Sequence, residues 1–242
     1  MVNIWSLSAQ ILGERCALCG AIANGLCDDC RTDLPGVGTA CRICALPLPG
    51  APSPDLTCAT CQARPPSFVQ TVAALRYAPP TDDLIAALKY REGLELARPL
   101  GHCLLEALDD ARGALPAWPE LIVPVPMPPD RLRQRGFNQA AEIARVIGNA
   151  MGIPVARGIA VRPGGAETQR GLSRAARRGN VRGAFVARGP APPRVAIIDD
   201  VMTTGATAEA LSRALRAAGA STVQVWVVAR TPQPGSGGLN DR

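Results

Sequence analysis

Four Cys-x-x-Cys pairs, Cys16/Cys19, Cys27/Cys30, Cys41/Cys44 and Cys58/Cys61, leave the N-terminal part of this chain little freedom in how it can fold. Two intervening residues let one tight knuckle present both thiolates to a tetrahedral ion at about 2.3 Å. The segment from Cys16 to Cys61 is rich in Gly and Pro and poor in periodic apolar residues, so it needs a staple to fold. Disulfides are the rival to metal. The opening run MVNIWSLSAQILGERC has no basic region, long apolar core or small-residue cleavage site, so it does not read as a secretory signal. No apolar run approaches the roughly 18–20 residues of a membrane span. A soluble, cytoplasmic chain without membrane insertion is expected, and disulfides are disfavoured there. Redox catalysis would call for one pair at a helix start, not four in loops. The expectation is two zinc sites with four cysteines each. Sequential pairing gives Cys16, Cys19, Cys27, Cys30 and Cys41, Cys44, Cys58, Cys61; an interleaved pairing uses the same residues, and spacing does not choose between them. Four thiolates leave no position for water, so both zincs should be structural.

Residues 1 to about 15 read as a short amphipathic helix through Ile4, Trp5, Leu7, Ile11 and Leu12. Beyond the cysteines, apolar runs alternate with helical periods. Phe68–Tyr77, Leu121–Val125, Val195–Ile198 and Thr222–Val228 read as strands, with a further short one at Ile153–Val155. Asp82–Tyr90, Leu94–Asp110, Gln139–Met151 and Ala208–Ala218 read as helices, with Gly152 and Gly219 as C-terminal stops. Arg157–Gly189 is Arg- and Gly-rich and shows no clear strand. Strands alternating with helices predict a mainly parallel α/β sheet. The expected organisation is an N-terminal helix and ribbon over 1–66, an α/β domain over 67–230, and a disordered tail over 231–242. Cys103 falls in an apolar helix run and reads as core. His102 is the single histidine, so a Ser/His or Cys/His catalytic system is not expected.

The stretch Arg194–Glu209, RVAIIDDVMTTGATAE, carries the chemistry. Asp199 and Asp200 fall at the carboxyl end of a buried strand, where open α/β sheets place ligands. Thr203, Thr204, Gly205, Ala206 and Thr207 supply hydroxyls and backbone N–H groups at a helix start, a ready anion site. Carboxylates for sugar hydroxyls beside a phosphate cradle describe a pocket for a phosphorylated ribose. A helix cap after a buried strand would account for one Thr and one Asp, but not for the whole run. The run resembles the signature of the type I phosphoribosyltransferases. That resemblance implies binding of phosphoribosyl pyrophosphate with magnesium, Asp199 and Asp200 acting on the ribose and Thr203–Thr207 on the 5-phosphate. Pyrophosphate then needs a second loop, for which Pro124–Met127, including Val125 and Pro126, is the candidate. The following RLRQRGFNQ places Arg131, Arg133 and Arg135 ahead of Asn138 and Gln139, and guanidinium forks match phosphate oxygens.

The cysteine pairs, LKYREG (88–93), VPVPM with RLRQRGFNQ (123–139), QRGLSRAARRGNVRGAF (169–185) and IIDDVMTTGAT together resemble the ComF family. That resemblance runs from about Cys16 to Arg230. It implies a type I phosphoribosyltransferase fold, a mainly parallel sheet flanked by helices, behind a small double zinc ribbon, and a link to DNA uptake in natural transformation. It further implies that Lys89 and Arg91 point toward the site, and that Gln169, Leu172, Arg177 and Asn180 lie on a loop closing over the donor. Ala166 departs from the family, where a Thr is expected. Two functions follow. One is phosphoribosyl transfer to an acceptor that no residue marks. The other is a catalytically inactive factor that binds single-stranded DNA, with other DNA-uptake proteins as partners and the pocket as a sensor. The net charge of +6, with Lys89 the one lysine, favours polyanionic ligands, and Arg170, Arg174, Arg177, Arg178 and Arg182 form a basic stretch. A transcriptional regulator is not supported, as there is no helix-turn-helix pattern with a basic recognition helix.

Overall fold

The second knuckle of each cysteine quartet opens a short helix. Cys27 is the N-cap of α1 (Asp28–Thr32) and Cys58 that of α2 (Ala59–Ala63). The structure, a computed structural model, describes residues 15–51, 53, 55–163 and 184–233. Next come β1 (Gln70–Arg76), α3 (Thr81–Ala87), a 3-10 turn (Arg91–Leu96) and α4 (Ala97–Asp110). They are followed by β2 (Leu121–Pro124), α5 (Pro129–Arg135), α6 (Gln139–Met151), β3 (Ala160–Val161) and β4 (Val186–Ala187). The chain closes with β5 (Arg194–Met202), α7 (Ala206–Ala217) and β6 (Thr222–Arg230).

Four strands form a wholly parallel sheet in the order β1-β6-β5-β2, with Ile197 opposite Val225 and Asp199 opposite Val227. Helices cover both faces, which is why the central strands show no apolar alternation. Ala196, Ile198, Trp226 and Val228 pack with Leu100, Leu104, Ile143 and Ile147 of α4 and α6. Val195, Ile197, Val223 and Val225 pack with Ala208, Leu211 and Leu215 of α7 on the other side. This is the expected parallel α/β arrangement behind an N-terminal ribbon.

The two halves of the ribbon sit on opposite faces of that sheet. Cys16, Leu26 and Leu34 join the layer of α4 and α6, whereas Cys41, Cys44, Cys58, Cys61 and Phe68 join the layer of α7. The chain between them crosses the free edge of β1. There the Arg76 N–H donates to the Pro35 carbonyl at 2.7 Å, and Gly36 bridges to Leu75 antiparallel. Covering the edge removes a template for pairing with other chains. Ser67, at the ribbon's exit, donates through N–H and Oγ to the Glu209 carboxylate of α7 at 2.7 and 3.0 Å.

Several boundaries differ from expectation for local reasons. β5 continues through both aspartates to Met202 because β6 pairs with it as far as Arg230. Pro129 at the start, Asp130 in the first turn and left-handed Gly136 at the end make 129–135 a helix that the sequence reading did not assign. Ile153–Val155 contributes one parallel bridge, Val155 to Ile122, not a strand. The section 157–189 does hold strands, the antiparallel β3–β4 pair of two residues each. The helix expected from Leu94 begins as the 3-10 turn and becomes α-helical at Ala97. The amphipathic helix expected over 1–15 falls, up to residue 14, outside the described residues, as does the tail from 234. Among the described residues no helix is long and apolar enough to cross a membrane.

Gly93 closes the turn between α3 and α4. A Cβ there would lie 2.3 Å from the Ala87 carbonyl oxygen and 3.0 Å from the Leu88 nitrogen, both backbone atoms that cannot swing aside. Gly93→Ala is therefore expected to destabilise the protein by about 1–3 kcal/mol in a urea titration, the usual range for overpacking. An unchanged midpoint would contradict this close approach.

Candidate functional site

The cysteines gather as two sequential quartets: Cys16, Cys19, Cys27, Cys30 and Cys41, Cys44, Cys58, Cys61, with all sulfurs of a quartet within 4.8 Å of one another. Cys19 and Cys27 Sγ atoms are 3.6 Å apart, and those of Cys44 and Cys58 3.7 Å. A tetrahedron of about 2.3 Å metal–sulfur bonds has edges of about 3.8 Å, so the spacing suits zinc. It is far from a disulfide of about 2.05 Å, and all the cysteines are free thiols. The interleaved pairing is thereby ruled out. The knuckle backbone favours thiolate. Burial acts to raise the Cys16 thiol, yet N–H groups of Cys19, Cys27 and Leu18 hold it down at about 6. The same opposition places Cys41 at about 7, with the N–H groups of Cys44, Cys58 and Ile43 prevailing over burial. The quartets differ in exposure: Cys19 is exposed and Cys27 and Cys30 half-buried, whereas all four of the second are buried. Cys103 is in the core, its thiol pushed up to about 11 by burial.

At the carboxyl end of β5 the chain turns through Thr203–Gly205 into α7. Gly205 is the N-cap at φ +80°, a left-handed conformation that favours glycine. Thr204 Oγ1 accepts from the Ala206 N–H at 3.3 Å. The first-turn N–H groups of α7 have no carbonyl four residues back to bond, and the positive end of the helix lies at this loop. A hollow of ≈ 30 Å³ brings Val125 of the β2 loop together with Asp199, Thr203, Gly205 and Thr207. The aspartates are fixed by the backbone: Asp199 Oδ1 accepts from the Asp200 N–H at 3.0 Å, and Asp200 Oδ1 from the Val201 N–H at 2.8 Å. Burial first, then the Asp200 carboxylate beside it, push Asp199 well above the ordinary carboxylate range. Arg162, at the end of β3, opposes that rise and stacks on Phe185, 5.5 Å from the ring centre. Neither Arg162 nor Phe185 is expected at the site from the sequence; both lie within the Arg- and Gly-rich section 157–189, which carries no periodic signal.

The β2 loop is held by Asn138. Its Nδ2 donates to the Val125 carbonyl at 2.9 Å while its Oδ1 caps α6 by accepting from the Ala140 N–H at 3.1 Å. Both ends of this side chain thus serve the scaffold. Pro126 lines a second hollow, ≈ 180 Å³, with Met127, Asn138 and Ala160. Gln139 is buried, and its Nε2 has no protein partner among the described residues. Arg135 is half-buried at the end of α5, and Arg133 beside it pairs with Asp130. Lys89 follows α3 in a turn, half-buried; neither hollow includes it, and Arg91 opens the next 3-10 turn. Gln169, Leu172, Arg177 and Asn180, with the arginines 170–182, lie outside the described residues.

A family model described as a double zinc ribbon domain matches residues 7–64. Competence protein F of Haemophilus influenzae is 34% identical over 212 residues, covering 86% of this chain and 91% of its own length. DNA utilization protein YhgH of Escherichia coli K12 is 34% identical over 173 residues, 71% of this chain and 76% of that protein. Among solved structures, the glutamine phosphoribosylpyrophosphate amidotransferase of B. subtilis is 23% identical with a TM-score of 0.37, covering 57% of this chain and 27% of that one. That TM-score is too low for the likeness to carry weight.

Proposed function

The chain belongs to the competence protein F family, and from that premise we propose that it binds phosphoribosyl pyrophosphate with a divalent cation in the cytoplasm, in the service of DNA uptake or use. The observation that carries the reading is the meeting of Val125, Asp199, Thr203, Gly205 and Thr207 around one hollow at the carboxyl end of β5. In this reading Thr203–Thr207 hold the 5-phosphate through hydroxyls and the N–H groups of α7. Asp199 and Asp200 accept from the ribose hydroxyls. Val125 and Pro126 face the pyrophosphate, and Arg135, Gln139, Lys89 and Arg91 are its further ligands in this reading. Gln169, Arg177 and Asn180, which lie outside the described residues, are further donor ligands in this reading. Were an acceptor present, the two carboxylates would stabilise positive charge on the ribose ring as pyrophosphate leaves with the bonding electrons. The zincs only shape the ribbon, since four sulfurs leave no open ligand position.

A second reading, a non-catalytic factor that binds single-stranded DNA, draws support from the names of the relatives, a competence protein and a DNA utilization protein, and from the net charge of +6. Calorimetry with magnesium tests the first reading; no heat of binding for phosphoribosyl pyrophosphate would overturn it. A titration of single-stranded DNA across salt tests the second. A log–log slope of about −2 or steeper is expected, three or more phosphates at about 0.7 each. Pyrophosphate release that requires an added acceptor would favour the transferase; DNA affinity that changes with phosphoribosyl pyrophosphate, without turnover, would favour the sensor.

A further inference from the structure

Arg230, the last residue of β6, is only 4% exposed. Its Nε donates to the Cys44 carbonyl at 2.8 Å. Its Nη1 donates to the carbonyls of Met202 at 3.0 Å, Thr231 at 2.7 Å and Thr203. All four partners are carbonyl oxygens. A guanidinium removed from water is costly unless its donors are satisfied, and its planar fork, unlike an ammonium, can hold several carbonyls at fixed angles. Here the carbonyls come from two functionally different places. Cys44 is a ligand of the second cysteine quartet, while Met202 and Thr203 are the end of β5 and the first residue of the phosphate loop.

We infer that Arg230 is a positioning residue that couples the second metal quartet to the phosphate loop. Metal bound by Cys41, Cys44, Cys58 and Cys61 sets where the Cys44 carbonyl lies. That carbonyl orients the guanidinium, and the guanidinium sets the start of the Thr203–Thr207 turn. The first quartet packs on the opposite face of the sheet, and among the described residues no hydrogen bond of Arg230 reaches it. Linkage makes the coupling reciprocal: a ligand held by the loop tightens the second quartet on its ion, and not the first. The inference rests on the reading of Thr203–Thr207 as the phosphate loop.

The test uses the full zinc-loaded chain and replaces zinc stepwise by cadmium, a larger thiophilic ion, while proton–nitrogen correlation spectra follow the amides of Thr203–Thr207. The more exposed first quartet exchanges first. The loop amides are expected to stay in place during that step and to shift when the second quartet fills. In Arg230→Lys, with two metal ions still bound per chain, the second step is expected to leave them unmoved, and phosphoribosyl pyrophosphate to bind about tenfold more weakly. Loop amides that ignore the second step in the wild type, or respond equally in Arg230→Lys, would overturn the coupling. So would loss of metal from Arg230→Lys, which would make the residue a support of the ribbon alone. If that variant does not fold, the wild-type exchange still decides. Because the amides are read without ligand, failure of phosphoribosyl pyrophosphate to bind would sink the pocket reading and leave the coupling to stand or fall on the spectra.

Discussion

Stripping both zincs with excess chelator is expected to lower the midpoint of thermal unfolding by more than about 10 °C and to expose the sheet face under α7. Magnitudes decide this. Binding of a structural zinc is worth about 10–16 kcal/mol, whereas whole domains are stable by only about 5–15 kcal/mol. The ribbon cannot replace that contribution from its own apolar residues, and its halves are parts of the two cores: Cys16 beside Leu26 and Leu34, and the second quartet beside Phe68. Without an ion, the second quartet is also a cluster of thiols that cannot ionise together. Burial first, then the neighbouring Cys41 and Cys58 sulfurs, push the Cys44 thiol up to about 11. Zinc must displace those protons, so its hold weakens as pH falls. Release should occur in two steps, the more exposed quartet of Cys16 first and with the smaller loss of structure, the buried quartet of Cys41 second and together with unfolding. Circular dichroism melts read beside a colorimetric zinc assay check both points. A stripped protein that melts where the loaded one does would show that the quartets do not hold the fold.

Much of this architecture was legible because local signals agreed with packing. α6 runs from Gln139 to Met151 as expected, since Asn138 caps one end and left-handed Gly152 the other. The buried run Val195–Ile198 declared a strand covered on both faces, and Ile197 and Ile198 have no exposed surface. What escaped sequence reasoning is what depends on the third dimension. Knuckle spacing names ligands but carries no information on which quartets close, or on the placement of the two halves against opposite sheet faces. β3 and β4 are too short to show a period. The apolar spacing of Asp82–Tyr90 suggests a longer helix than α3, whereas the chain leaves the helix after Ala87 and turns back so that Gly93 meets the Ala87 carbonyl. RGFNQ marks Asn138 as a ligand residue but does not reveal that its side chain also joins two backbone groups of the scaffold. Arg230 lies beyond the strand expected over Thr222–Val228, and nothing in its local sequence signals the convergence of the Cys44 and Thr203 carbonyls on it.

Asp199→Asn is expected to raise stability and to weaken phosphoribosyl pyrophosphate binding in the same protein. The carboxyl of Asp199 is pushed well above its ordinary range by burial and then by Asp200, so the folded chain keeps this proton to higher pH than the unfolded chain does. The sign follows from linkage. The stabilisation tied to that proton is complete below the unfolded value, about 3.9 for an aspartate, and is lost as pH rises toward the folded value. Asparagine has no charge to desolvate, and its Oδ1 can still accept the Asp200 N–H that the aspartate accepts at 3.0 Å. The variant should therefore melt above the wild type at neutral pH, with the difference shrinking as pH falls toward about 4. Binding goes the other way. A hydrogen bond to a charged group is worth about 1.5–3 kcal/mol, so losing the carboxylate as acceptor for a ribose hydroxyl should cost about ten- to a hundredfold in affinity. Melts across pH and calorimetry with magnesium read the two halves separately. A lower melting temperature at neutral pH would mean that the charge of Asp199 is compensated in the free protein. Unchanged affinity would mean that the ribose, if it binds, does not meet this carboxylate. The opposed result is what a residue selected for binding and not for folding should give: a half-buried, repelled carboxylate at the carboxyl end of β5 would then be tolerated for the partner that a ligand brings to it.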